Sequence, residues 1–203
     1  VLKKEGLYTE DLFEDMQGEY TEDLGMQWVG MYGFNNTYGL AVRNEVAEQY
    51  GLETYSDLKE AAPMLVFGAE YDFFEREDGY DALCKAYDLH FKNTMDLDIG
   101  LKYQAVNQGK IDVMVIFTTD GQLSVSDVKV LRDDQNFYPS YLCGNVIRSD
   151  VLLEHPELGD VFAKLEGRFT DEEMAKMNYQ VETEGKEPRT VAEDFLRTCG
   201  LVR

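Results

Sequence analysis

The sequence predicts an α/β fold with a mainly parallel sheet. Short apolar runs closed by turn residues alternate with stretches of helical spacing, as in "PMLVFGAEY" (63–71) followed by "DGYDALCKAYDLHF" (78–91). The stretch "LDIGLKYQAVNQGKIDVMVIFTTDG" (97–121) is the clearest unit. It reads as a helix stopped at Gly109, where a glycine takes the left-handed C′ conformation, then a buried strand, then a polar loop. In open sheets of this class, ligands sit beyond the carboxyl ends of strands. "TTDG" is therefore a place to look for a site.

The remaining elements follow along the chain. Residues 1–24 are acidic and helix-like, with Leu7, Leu12, Phe13 and Met16 at roughly helical spacing. "GMQWVGMYGF" (25–34) breaks that pattern with three glycines among large apolar residues. "GFNNTYGLAV" (33–42) is a polar loop entering an apolar run, and a helix is expected around 41–50. "YSDLKEAA" (55–62) predicts a helix capped by Ser56. A short buried strand is expected over 63–71, ended by Gly68, and a helix over 78–91 with Tyr80, Leu83, Cys84 and Tyr87 on one face. "VKVLRDD" (128–134) reads as a strand and turn, and from 148 onward the pattern is mostly helical. Pro156 and Pro188 each fit a first helical turn, and "TDEE" (170–173) fits a capping box with Thr170 as cap and Glu173 reaching back.

The 203 residues suffice for one large domain or two small lobes, and 44% hydrophobic content supports a packed core. A net charge of −21 leaves no basic stripe to neutralise phosphates, which excludes a nucleic-acid binder and argues against docking on an anionic membrane face. Cys84, Cys143 and Cys199 are far apart, with no CxxC pair and no nearby histidine. No metal site or cofactor is expected from them, and buried free thiols are the default. No apolar run approaches the ~20 residues of a membrane span. The chain opens Val-Leu-Lys-Lys without Met and reads as a piece of a longer product.

Catalysis has little to stand on. The two histidines, His90 and His155, have no obvious nucleophile beside them. There is no GxSxG elbow, Gly-rich phosphate loop or HExxH. "EYDFFEREDGYD" (70–81) is rich in carboxylates but lacks the ligand order of a Ca²⁺ loop, so it reads as a solvated loop. No enzyme is expected.

"GFNNTYGLAVRNEVAEQYGLETYSDL" (33–58) resembles the start of the second lobe in substrate-binding domains of osmoprotectant ABC importers, the OpuAC-like binders of glycine betaine, carnitine and choline. The likeness continues through "DGYDALCKAYDL", "IGLKYQAVNQGKIDVMVIFTTDG", "VKVLRDDQNFYPSY", "HPELGDVFAKLEG" and "MNYQVETEGKEPRTVAEDFL". It implies a type II periplasmic-binding-protein-like fold, two α/β lobes joined by a hinge, with ligand held between them. One lobe would be about 32–136. The other would combine 1–31 with 137–203 and lack its upstream part, so that first lobe is incomplete. Completion by another chain, by a swap or by upstream residues is the expectation, and with it possible self-association.

The resemblance also implies a site. A quaternary ammonium has no N–H to donate, so aromatic faces hold it. The family's cage rings fall on Tyr38, Phe117 and Tyr141. Phe117 stands where many relatives have Tyr. Asn36 is a candidate for the ligand's polar end, and Thr119 and Asp120 either line the cleft or shape the turn. Read alone, "NNT" is a cap or turn, Phe117 a core residue and "TTDG" a turn signal. The implied partners are a quaternary-ammonium small molecule and an ABC permease subunit or fused permease domain. The implied place is extracytoplasmic, either membrane-associated (lipid-anchored or permease-fused) or periplasmic. The alternative is a ligand-sensing or scaffold module on the same fold, without a transport role.

Overall fold

A computed structural model describes residues 12–138 and 141–202, with side chains described from residue 16 onward. In chain order, α1 (Leu12–Leu24) and β1 (Met26–Asn35) come first. There follow β2 (Tyr38–Arg43), α2 (Asn44–Tyr50), α3 (Leu58–Ala61), β3 (Val66–Ala69), α4 (Tyr71–Glu75), α5 (Tyr80–Tyr87), β4 (Asn93–Asp96), α6 (Ile99–Asn107), β5 (Val113–Phe117) and β6 (Val128–Val130). The described order closes with β7 (Leu142–Arg148), α7 (Ser149–Glu154), α8 (Glu157–Ala163), α9 (Asp171–Glu182) and α10 (Pro188–Thr198). The chain divides into two compact units, Val1–Asn36 with Pro139–Arg203 as unit 1 and Thr37–Tyr138 as unit 2.

Unit 2 is built on a five-stranded sheet in the order β4-β3-β5-β2-β6. β3 runs parallel to β4 and β5, whereas β2 runs antiparallel to both β5 and β6. β4, β3, β5 and β6 thus share one direction and β2 alone runs against them, so the sheet is mixed but mainly parallel, as expected. The apolar run "GLAV" belongs to β2 rather than to a helix, and the helix after it starts at Asn44. Gly39 to Val42 are all buried, so this strand has no polar alternation, and such a run cannot be told from a helix start by periodicity.

Period-two alternation then sorts the side chains. Leu40, Val42, Val113, Val115 and Phe67 face one core, which α2, α3 and α5 cover with Val46, Leu58, Leu83 and Tyr87. Ala41, Met114, Ile116 and Ile111 face a second core with Tyr103 and Val106 of α6. α6 ends as expected, with Gly109 left-handed at φ 66°. β3 runs through Gly68 to Ala69 instead of stopping at the glycine. Its glycine is needed because a Cβ there would lie 2.5 Å from Ile111 Cδ1.

α3 is shorter than its sequence suggests, and Ser56 does not cap it. The local work is done by Asp57, whose carboxylate accepts N–H bonds from Glu53 (3.0 Å) and Thr54 (2.7 Å). Those two backbone donors hold its carboxyl below the usual carboxylate range. A depressed folded-state value means stability that is present above the unfolded pKa and lost as pH falls through the folded one. Asp57→Asn is therefore expected to lower stability at neutral pH and to flatten the acid limb of the stability curve. Urea melts at neutral and acidic pH check this. An unchanged acid limb would show that Asp57 contributes nothing.

Unit 1 pairs β1 antiparallel with β7, with register shifts between Val29 and Met31 and between Met31 and Asn35. The glycines that broke the helical pattern are what this strand requires. Gly30 has φ 66°, and a Cβ on it would meet the Phe162 carbonyl oxygen at 2.4 Å. The segment after α8 hydrogen-bonds back to β1, through Gly167 N–H to Met31 (2.9 Å) and Phe169 N–H to Tyr32 (3.1 Å). The α9 capping box is present in both directions between Thr170 and Glu173, and Pro188 occupies the first turn of α10. The buried residues of unit 1, among those described, are Phe34, Ala175 and Val191. Leu142, Val146, Leu153 and Val161 are exposed. α1 covers the helix-like part of 1–24. Leu7 lies outside the described residues, as do the side chains of Leu12 and Phe13.

Candidate functional site

β2 begins with Tyr38 and β5 ends with Phe117. Antiparallel register sets the two directly opposite one another. Alternation puts Tyr38 on the face of Leu40 and Val42, and Phe117 on the face of Val113 and Val115. The result is a ring pair with centroids 4.8 Å apart at the carboxyl end of β5. Phe73 of α4 and Tyr138 each lie 5.6 Å from the Tyr38 ring.

The turn after β5 holds Phe117 in place. Asp120 accepts from the Phe117 N–H (3.2 Å) and from the Tyr103 hydroxyl (2.8 Å). Thr119 is buried at 5% exposure. Behind the turn, Lys102 of α6 is fully buried at 0%. Its Nζ lies 2.7 Å from Glu70 Oε1 and 3.6 Å from Asp120 Oδ2, and 5.8 Å from the Phe117 ring centroid. Two largely buried carboxylates and one fully buried ammonium thus form a cluster beside the ring. Nothing in "IGLKYQAV" marked Lys102 beforehand, because a lysine at helical spacing reads as solvated.

The segment "EYDFFEREDGYD" is not the solvated loop that its carboxylates suggested. It forms α4, buries Phe73 at 2% and brings Arg76 to the Tyr38 ring, with Cζ 5.5 Å from the centroid. Asp78 receives Arg76 Nε and Nη2, both at 2.8 Å, and these bonds hold its carboxyl below the usual range. Phe–Phe–x–Arg ahead of Asp-Gly was the signal available, an apolar pair interrupting the acidic run.

Of the six candidate residues, Tyr38, Phe117, Thr119 and Asp120 belong to unit 2 and come together there. Asp120 is chiefly engaged in shaping the turn. Asn36 and Tyr141 belong to unit 1, where the Asn36 N–H donates to the Tyr141 carbonyl (3.2 Å) and the Tyr141 N–H to Asn35 Oδ1 (2.5 Å). Tyr141 is 44% exposed. Tyr138, the earlier tyrosine of "FYPSY", is the one that packs on Tyr38 within unit 2, a contact sequence reading missed. His90 and His155 are exposed on the surface, next to Asp88 and Glu157. Among the described residues, no group of three metal-ligating side chains gathers. A cavity of about 130 Å³ elsewhere in unit 2, lined by Arg43, Glu45, Val106, Asn107 and Asp127, includes none of the candidates.

A family model described as the substrate binding domain of ABC-type glycine betaine transport system matches residues 6–198. The chain belongs to this family. Its α/β fold is accordingly that of the two-lobed type II periplasmic binding proteins. A solved structure described as a glycine betaine/carnitine/choline ABC transporter superposes with a TM-score of 0.92 at 35% identity, over 98% of this chain and 74% of that one. The chain is also similar to an ergothioneine transport permease/ergothioneine binding protein of Helicobacter pylori (strain G27), 44% identical over 93% of this chain and 34% of that protein. A second relative is a carnitine transport binding protein of Listeria monocytogenes, 38% identical over 88% of this chain and 58% of that protein. The chain therefore spans between about a third and three fifths of the length of these curated relatives.

Proposed function

We propose that this chain is the non-catalytic, solute-capturing part of an extracytoplasmic ABC import system for quaternary-ammonium compatible solutes such as glycine betaine, carnitine and choline. The observation that carries the reading is the Tyr38–Phe117 ring pair at the carboxyl end of β5, in a chain of this family. Stacked and tilted rings present negative faces, and a methylated ammonium with no donor is held by such faces at ~0.5–2 kcal/mol each. Tyr141 and Asn36 remain candidate ligand contacts in this reading. The partner is an ABC permease, separate or fused, and the chain is periplasmic or held at the membrane. Among the described residues no helix is long and apolar enough to cross a membrane.

A thermal melt of the natural full-length protein tests this. A ligand at one hundred times its Kd adds about 2.7 kcal/mol of stability to the state that binds it. Glycine betaine or carnitine is expected to raise Tm, and a neutral sugar to leave it in place. No shift with any quaternary ammonium would remove the reading.

The exposed apolar residues Leu142, Val146, Leu153 and Val161 of unit 1 support one further element of the proposal. In this reading further chain covers these residues, supplied by the same polypeptide or by a second copy. Light scattering on the chain 1–203 alone is expected to show association. A monomer at high concentration would dismiss the second-copy route.

A further inference from the structure

We propose that Asp133 is a positioning residue of the site: it closes the 133–138 loop so that the Tyr138 ring stands against Tyr38, and it acts on ligand affinity through that ring. This rests on the quaternary-ammonium reading above and adds to it a residue outside the ring group.

Tyr138 is the last residue of unit 2 and belongs to no strand or helix. No ladder of backbone bonds holds it, yet its ring lies 5.6 Å from that of Tyr38, the centre of the ring group. It also packs edge-on against Phe137 at 4.9 Å and Tyr55 at 6.4 Å. One carboxylate earlier in the same loop fixes its backbone. Asp133 Oδ2 accepts the Tyr138 N–H (2.9 Å), and Oδ1 accepts the Phe137 N–H (3.0 Å). Asn136, at φ 53°, supplies the left-handed turn that folds the chain back onto that carboxylate.

The loop is clamped from a second side. Tyr87, buried at the end of α5, donates its hydroxyl to Asp133 Oδ1 and accepts from the Gln135 N–H (2.9 Å). Burial first, and then the bond to Asp133, push the Tyr87 hydroxyl pKa up, so it stays a donor. Tyr55 packs edge-on against the Tyr87 ring at 5.4 Å. The Asp133 carboxylate thus serves the Tyr87 hydroxyl and two backbone N–H groups, and a charged acceptor makes the stronger kind of hydrogen bond.

This has a cost and a benefit for binding. A ring group already in place has little left to order when a ligand arrives, whereas a loose Tyr138 is ordered at the expense of affinity. Asp133→Asn keeps the size of the side chain. Whichever way its carboxamide lies, an NH₂ group then faces one of the two backbone donors.

Calorimetric titration of the full-length natural protein with glycine betaine, carnitine and choline tests this, on wild type, Asp133→Asn, Tyr87→Phe, Tyr138→Ala and each of the first two combined with Tyr138→Ala. Amide hydrogen exchange and thermal melts accompany it. Asp133→Asn is expected to lower affinity about tenfold, the size of a lost charge-assisted bond. It should also speed exchange at Phe137 and Tyr138 while β2 and β5 stay protected. On the Tyr138→Ala background the same change should cost less than about twofold, because the ring it positions is gone. Should Asp133→Asn not melt cooperatively, Tyr87→Phe decides the matter, with an expected loss of about threefold when Tyr138 is present and none when it is not. Full affinity in Asp133→Asn, or an equal loss on both backgrounds, would make Asp133 a stabiliser of the fold only. Either result would overturn the inference and leave the quaternary-ammonium reading intact. A wild type that binds none of the three ligands would overturn both.

Discussion

Lys102→Met is expected to destabilise unit 2 by about 3–5 kcal/mol, because it strips the buried cation from beside two largely buried carboxylates and leaves Glu70 and Asp120 without their counter-charge. The lysine is fully buried, with Glu70 Oε1 at 2.7 Å and Asp120 Oδ2 at 3.6 Å. Its value lies less in net stability, since buried ion pairs often break even against apolar residues, than in what it holds. Asp120 is tied to the Phe117 N–H and to Tyr103, so the cluster sets where the Phe117 ring stands. Urea unfolding measures the loss, and a cycle with Glu70→Gln separates the pair from the burial. In that cycle the double variant should recover part of the stability lost by Lys102→Met alone. A melt unchanged in Lys102→Met would mean that the lysine is solvated and the cluster is no cluster.

Tyr38→Ala should weaken quaternary-ammonium binding by about 1–3 kcal/mol, through a lost cation–π face and admitted water. Tyr38 meets Phe117, Phe73 and Tyr138 at once, so its removal opens the centre of the ring group. Phe117→Tyr, by contrast, keeps the face and should be mild. Tyr141→Ala is expected to fall in the range of Tyr38→Ala. Calorimetry on each variant reads these directly, and normal binding by both alanine variants would remove the cage assignment.

Local chemistry was the part of this molecule most open to sequence reading. The Thr170–Glu173 capping box, the Gly109 stop and Pro188 each rest on interactions within a few residues, and each is present. Apart from the Ser56 cap, a local expectation that α3 does not meet, the failures came where distant chain decides. "GLAV" is a strand because β5 and β6 flank it, which no window of ten residues contains. β4 and β7 were not foreseen, since "NTMD" and "LCGNVIR" owe their strand state to pairing with β3 and β1. The glycines of 25–34 were noticed as a break but not as the places where the Phe162 and Phe169 backbones press on a strand.

The site divides along the same line. Tyr38 and Phe117 were named through resemblance, and strand register then places them face to face. Lys102, Arg76 and Tyr138 were not named. Their types read as surface or packing in sequence, and only the fold brings Lys102 to Glu70 and Asp120, and Arg76 and Tyr138 to the Tyr38 ring. Charge-rich stretches hide such residues, because a lysine among carboxylates looks like any other surface pair until its burial is known.

The central claim is that the ring group of unit 2 holds a quaternary ammonium. Titration of glycine betaine, carnitine and choline into the natural full-length protein, followed by calorimetry, tests it most directly. Saturable one-to-one binding of at least one of them, weakened by Tyr38→Ala in a variant that still melts cooperatively, is the predicted result. No heat of binding from any of the three, or an affinity indifferent to Tyr38, would contradict it.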